Sequence, residues 1–266
     1  MRILFVGDIF GQPGREALAR HLPRLKQEHA VDLTIVNSEN AAGGFGLTGP
    51  LAEEIFDRGA DVITTGNHVW DRRELHDYYR DFPADAARVL RPANFPPGLP
   101  GAGLYCGQIA SGEAYAVLNL QGRVFLPAID CPFRKADELL ASLPAQVKTI
   151  VVDMHAEATS EKQAMGWYLD GRVSAVLGTH THVPTADERI LPGGTGFQTD
   201  VGMTGPFAGV IGCRTEDVLQ RFLTGVATKL SPARGDIRLC AILLETENGR
   251  TRRMVRIMAR DHESAG

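Results

Sequence analysis

Short apolar runs alternate with amphipathic stretches of helical period along most of this 266-residue chain, and that alternation restricts the fold more than any other feature. Residues 3–6, 33–36, 62–65, 116–120, 149–152 and 173–177 read as strands. Residues 14–28 read as a helix with Ala17, Leu18, Leu22 and Leu25 on one face. The segment 50–57 opens with a proline suited to a first helical turn, and 72–79, 135–141, 161–169 and 215–226 complete the helical set. Near the end, 239–245 and 254–258 read as terminal strands. Strands joined by crossover helices imply an α/β fold with a largely parallel sheet covered on both faces. Residues 82–107 interrupt the pattern. They are rich in Pro and Gly and lack a helical period, so they read as an irregular insertion or subdomain within one domain spanning 1–266. Phe95, Leu99, Leu104 and Tyr105 let this stretch bury surface.

Composition excludes several classes. Apolar residues make up 44% and charged residues 23%, as in ordinary globular proteins, and the net charge of −4 supplies no basic field for a nucleic-acid partner. No run approaches the roughly 20 apolar residues that cross a bilayer. The first apolar run meets Asp8 too soon for a signal peptide. Cys106, Cys131, Cys213 and Cys240 are scattered without Cys-x-x-Cys spacing, which favours reduced thiols and a cytoplasmic protein.

Every early strand stops at a polar residue. The first ends at Gly7-Asp8, the second at Asn37-Ser38-Glu39-Asn40, and the third at Gly66-Asn67-His68. Two later ones end at Asp153-Met154-His155 and at Gly178-Thr179-His180-Thr181-His182. Ligands of open α/β sheets bind beyond the carboxyl ends of the strands, so Asp8, Glu39, Asn40, Asn67, His155, His180 and His182 are expected to meet. In an extended segment His180 and His182 point the same way. Carboxylates, amides and imidazoles suit iron, manganese or zinc, and the lack of Cys argues against a soft thiolate site. One ion needs four to six ligands, so seven candidates suggest two. Two divalent ions, two carboxylates and a bridging hydroxide leave about +1, which favours an anionic phosphoryl substrate.

Each residue taken alone also fits a plainer role. Asp8 suits a helix cap, Glu39-Asn40 a solvated loop, Gly66-Asn67-His68 a turn and His155 a structural histidine. Gly7, Gly11 and Gly14 lack the Gly-x-Gly-x-x-Gly spacing of a dinucleotide turn. Ligand types at five strand ends together favour metal.

These residues resemble the calcineurin-like metallophosphoesterases, which place Gly-Asp, a bridging acid, Gly-Asn-His, a later His and Gly-His-x-His at such strand ends. Two departures stand out here: Phe10 occupies the place of the usual Asp-x-His histidine, and Glu39 replaces the usual Asp and is followed by Asn40. Asp8-Ile9-Phe10-Gly11, Ser38-Glu39-Asn40, Arg91-Pro92-Ala93-Asn94 and the run from Gln198 to Pro206 are similar to the YmdB-like branch. The resemblance implies a four-layer αββα sandwich and hydrolysis of cyclic nucleotides, 2′,3′ or 3′,5′, with iron or manganese. It also implies a first metal on Asp8, Asn40 and His182, a second on Asn67, His155 and His180, and Glu39 as the bridge.

The reaction expected is in-line attack of a metal-bridging hydroxide on a phosphodiester, with His68 protonating the leaving alkoxide; the other role for His68 is to orient the ligands. Asp153, Glu157 and Thr179 are candidates for supporting the ligands, or are ordinary polar positions. Gly43, Gly44 and Gly46 give either backbone access to substrate or a flexible loop. Arg91 and Thr204-Gly205-Pro206 fit either phosphate contact and cleft lining or plain solvation and turn. The rival function is a metal-dependent regulatory protein that binds phosphate esters with little turnover. Assembly as a homo-oligomer stays open.

Overall fold

A computed structural model describes residues 1–261. In chain order the elements are β1 (Arg2–Val6), α1 (Gly11–His29), β2 (Leu33–Asn37), α2 (Gly49–Asp57), β3 (Val62–Thr64), α3 (Arg73–Asp81) and β4 (Val89–Leu90). Then follow β5 (Leu104–Gln108), β6 (Ala114–Gln121), α4 (Pro132–Ser142), β7 (Thr149–His155), α5 (Thr159–Tyr168) and β8 (Ala175–Thr179). The chain continues with β9 (Arg189–Ile190), β10 (Gly196–Gln198), β11 (Gly205–Pro206), α6 (Thr215–Thr224), β12 (Ile237–Glu247) and β13 (Arg250–Arg260).

These strands form two sheets, where the sequence periodicity alone suggests one. The first runs β11-β12-β1-β2-β3-β4, with β13 on β12; the second runs β5-β6-β7-β8-β10-β9. Strands β1 to β4 pair in parallel, as do β6, β7, β8 and β10, while β12 and β5 add antiparallel neighbours. The periodicity misleads for a physical reason. Strands β2, β7 and β8 are buried at every position, so their apolar runs do not say whether helices or another sheet cover each face.

Packing supplies that answer. Leu4 and Val6 of β1 join Leu18 and Leu22 of α1 in one apolar cluster, and Leu118, Val152 and Val176 join Met165 of α5 in another. The alternate residues of the same strands enter a third cluster, in which Ile3, Phe5 and Ile35 of the first sheet meet Val117, Val151 and Leu177 of the second.

Residues 82–107, expected to be irregular throughout, carry a 3-10 turn at Asp85–Arg88, then β4 on the first sheet and β5 on the second. The stretch is therefore the crossing between sheets. Arg91 is buried within it and donates to the carbonyls of Pro92 and Pro100 at 2.9 Å, which makes it a structural clamp. Helix α6 ends at Thr224, two residues short of expectation, because Gly225 turns left-handed at φ 69°. Strands β12 and β13 run longer than expected. Asn248 and Gly249 both take positive φ (51° and 78°), the geometry of a tight hairpin turn, and the arms pair outward from there.

Phe5 is fully buried between the two sheets. Phe5→Ala is expected to cost about 3–5 kcal/mol, against about 0.5 kcal/mol or less for the exposed Leu223→Ala, read as a shift in urea unfolding midpoint.

Candidate metal centre

The parallel strands of both sheets deliver their carboxyl ends to one place. Asp8 follows β1, Glu39 and Asn40 follow β2, and Asn67 and His68 follow β3; His155 closes β7, and His180 and His182 follow β8. Donor atoms of Glu39, His155 and His180 all lie within 4.8 Å of one another. Glu39 Oε2 stands 2.5 Å from His155 Nε2, and Asn67 Oδ1 stands 3.0 Å from the same nitrogen. The His180 amide donates to Asp8 Oδ2 at 3.2 Å, and the Asn40 side-chain amide donates to His182 Nε2 at 3.0 Å. Direct contacts thus link Asp8, Glu39, Asn67, His155 and His180, while Asn40 and His182 pair with each other. Phe10 supplies no donor: its ring packs edge-on against His182, with centroids 5.4 Å apart.

Approach this close requires a missing side chain. A Cβ on Gly66 would lie 2.2 Å from Glu39 Oε2 and 2.3 Å from His155 Nε2, so only glycine lets the two sheets' donors meet.

Hydrogen bonds fix which ring nitrogens face inward. The Thr179 hydroxyl donates to Asp153 Oδ1 at 2.7 Å and so accepts from His155 Nδ1 at 2.9 Å, which turns Nε2 toward Glu39 and Asn67. Asp153 is held in turn by Asn37 and Thr64 at 2.9 and 2.5 Å. His182 Nδ1 donates to the Ile211 carbonyl at 2.8 Å, leaving Nε2 as the acceptor. His180 Nε2 meets Glu157 Oε2 at 3.0 Å on the half-exposed side.

The backbone carrying the last two histidines is strained. His180 and His182 sit at φ 102° and 67°, a region that L side chains rarely adopt. Between them, Thr181 donates its amide (3.1 Å) and its hydroxyl (2.8 Å) to Asp200 Oδ2. Asp200 is paired at 2.6 Å with the fully buried Lys162 of α5 and also accepts from the Gly202 amide at 2.8 Å. Sequence reasoning missed the Lys162–Asp200 pair. Its one local signal is a lysine in α5 that faces the sheet, and the partner lies 38 residues away.

Electrostatics suits a cation. Burial drives the Asp8 carboxyl well above its ordinary pKa; His155 opposes this, while Asp200, Glu39 and Asp153 add to it. Burial works against the charged form of Glu39 too, but the adjacent His155 overrides it and holds that carboxyl at about 2. Burial next to His155 brings His180 down to about 3, and burial lowers His182, so both offer neutral lone pairs at pH 7. Asp8 Oδ1 is buried without a hydrogen-bond partner, and Glu39 Oε2 is buried with only His155 Nε2 beside it. One orphaned carboxylate oxygen and a second held by His155 alone, beside converging imidazole and amide donors, make a set that fits a borderline or hard metal ion. A cavity of about 1050 Å³ lies elsewhere, between the N-terminal ends of α1 and α6, and none of the seven residues lines it. Thr204, offered as cleft or turn, donates its amide to the Asp8 carbonyl at 2.8 Å, while Gly205 and Pro206 form β11.

Residues 4–257 match the family model described as YmdB-like protein. A curated relative from Bacillus subtilis (strain 168), named 2′,3′-cyclic-nucleotide 2′-phosphodiesterase, is 49% identical over 257 residues, covering 97% of this chain and 95% of its own. A crystal structure of a hypothetical protein from Thermus thermophilus superposes with a TM-score of 0.91 at 42% identity, covering 98% of this chain and 100% of that one. A second, titled as a novel phosphatase from Mycoplasma pneumoniae, gives 0.89 at 31% identity, with 98% and 93% covered.

Thr179→Val keeps the shape of that side chain and removes the hydroxyl between Asp153 and His155. Manganese affinity, measured by calorimetry, is expected to fall about 10- to 100-fold, and Thr179→Ser to restore most of it.

Proposed function

The chain belongs to the YmdB-like family, and on that premise we propose that it is a metal-dependent phosphodiesterase acting on cyclic nucleotides, 2′,3′ or 3′,5′. The observation that carries this reading is the approach of Glu39 Oε2 (2.5 Å) and Asn67 Oδ1 (3.0 Å) to His155 Nε2, with a His180 donor in the same cluster. We assign Asp8, Asn40 and His182 to one metal, Asn67, His155 and His180 to a second, and Glu39 to both, with iron, manganese or zinc as the ions. Bound there, such a pair supplies Lewis-acid polarisation of phosphoryl oxygens and lowers the pKa of coordinated water.

The chain's own residues do the rest. His68 is tied to the centre by its amide, which donates to Glu39 Oε1 at 2.9 Å, and its imidazole is part-exposed. Asp71 Oδ2 accepts from His68 Nδ1 at 2.7 Å, which fixes the ring and leaves Nε2 for proton transfer to the leaving alkoxide. Glu157 stands half-exposed beside His180.

The three apolar clusters support a four-layer αββα sandwich, and the sharing of one cluster by both sheets supports a single domain over the whole chain. Four free cysteines, two of them buried, suit a cytoplasmic location. None of the described helices is long and apolar enough to cross a membrane.

Hydrolysis of bis-p-nitrophenyl phosphate and of 2′,3′- and 3′,5′-cyclic nucleotides, with manganese or iron added after chelation, tests the assignment. Activity is expected to vanish with chelator and return with metal. Full metal occupancy without turnover would point instead to a protein that binds phosphate esters as a signal. Asn40→Ala is expected to lose one metal per chain by elemental analysis. His68→Ala should keep both metals and lose about 10²- to 10⁴-fold in kcat.

A further inference from the structure

Phe45 is an aromatic residue at the candidate centre that belongs to none of the three apolar clusters described above, nor to a smaller one formed by Phe10, Met203, Cys213 and Val218. Its half-buried ring stands edge-on to the His68 imidazole, with centroids 5.2 Å apart. Tyr79, Phe95 and Trp70 form an edge-to-face group of their own, and Phe10 lies in an apolar cluster, so none of them shares Phe45's position over His68.

The loop that presents Phe45 is built for rigidity. Gly43, Gly44 and Gly46 take φ of 70°, 102° and 77°, which bends the chain sharply around the aromatic residue. Arg72 then clamps the bend: its Nε donates to the carbonyl of Phe45 itself at 3.0 Å, and its Nη2 to that of Ala42 at 2.7 Å. Arg15 holds the Ala41 carbonyl at 2.5 Å, and the Gly44 amide donates to the Asn40 carbonyl at 3.1 Å. A Cβ on Gly46 would press to 2.7 Å from Arg72 Cγ, so the glycine is what lets the clamp close. Two donors of Arg72 go to backbone carbonyls of this loop, which makes the arginine a support for the segment that carries the ring.

An apolar ring fixed outside the core, beside a proton-transfer residue, has surface to offer a ligand. The ligand's chemistry follows from the site. A cyclic nucleotide that sets its phosphate at Glu39 and His68 carries a flat π-surface one ribose away, and aromatic faces bind such bases with little order lost when the protein ring is already immobile. We propose that Phe45 is the platform on which the substrate's nucleobase stacks, and so a specificity-determining residue of this centre. The inference rests on the phosphodiesterase reading. It further separates nucleotide diesters from diesters that lack a base.

The test compares a 2′,3′-cyclic nucleotide with glycerol 1,2-cyclic phosphate, a diester without a base, in the metal-loaded protein. Phe45→Ala is expected to lower the ratio of kcat/KM for the nucleotide over the base-free diester about tenfold, mostly through the nucleotide's KM, and Phe45→Trp to restore it. A fall of equal size on both substrates, carried by kcat, would mean that the ring only shields His68 and would overturn the platform. Calorimetry of cyclic nucleotide against inorganic phosphate gives the same comparison without turnover. A selective loss of nucleotide affinity in Phe45→Ala supports the platform even if hydrolysis is absent, and equal losses reject it. Failure of the wild type to hydrolyse either diester with metal bound would count against the phosphodiesterase reading alone.

Discussion

Four carboxylates are fully buried around one point, and the molecule is organised by the need to accommodate them. Asp8, Glu39, Asp153 and Asp200 have no solvent contact, and an ionised carboxylate in such surroundings is strongly unfavourable unless paired. Each is handled differently. Asp200 has the ammonium of Lys162 and the amides of Thr181 and Gly202. Asp153 has three neutral donors, from Asn37, Thr64 and Thr179. Glu39 has the His68 amide on one oxygen and only the His155 ring nitrogen on the other. Asp8 has the His180 amide on one oxygen and nothing on the other. Compensation therefore thins out from the deep pair toward the donor cluster, and the unmet demand is concentrated where the imidazoles converge.

This gradient links packing to chemistry. Asp153 sets the Thr179 hydroxyl, and the hydroxyl sets His155; Asp200 sets Thr181, and Thr181 sets the strained turn bearing His180 and His182. Neither deep carboxylate is exposed. Both act on the ring nitrogens of the donor cluster through the hydroxyl or turn they hold, and each sits on or just beyond an inner strand, Asp153 within β7 and Asp200 after β10.

Much of this was legible in the sequence. Polar residues at successive strand ends located Asp8, Glu39, Asn67, His155 and His180 because parallel topology forces such ends together. The division into two sheets was not legible from periodicity, since β2, β7 and β8 are buried on both faces and give the same unbroken apolar run whatever covers them. Strands β4, β9 and β11 have two residues each, too few for any periodic signal. The Lys162–Asp200 pair escaped for another reason: a buried charge is defined by its partner, and nothing in a linear pattern couples residues 38 positions apart. The support for Phe45 was half-visible, as three glycines without the arginine that gives their bend a purpose.

The sharing of one apolar cluster by both sheets has a consequence for how the molecule comes into being. Asp8, Glu39, Asn40 and Asn67 follow strands of the first sheet, whereas all three donor histidines come from the second. Strands β1 to β3 by themselves bring Asp8, Glu39, Asn40, Asn67 and His68, and none of the three histidines that follow or close strands of the second sheet. The complete donor set exists only after Ile3, Phe5 and Ile35 have closed onto Val117, Val151 and Leu177. The set of donors is thus a property of the two sheets closed on each other and of neither sheet alone.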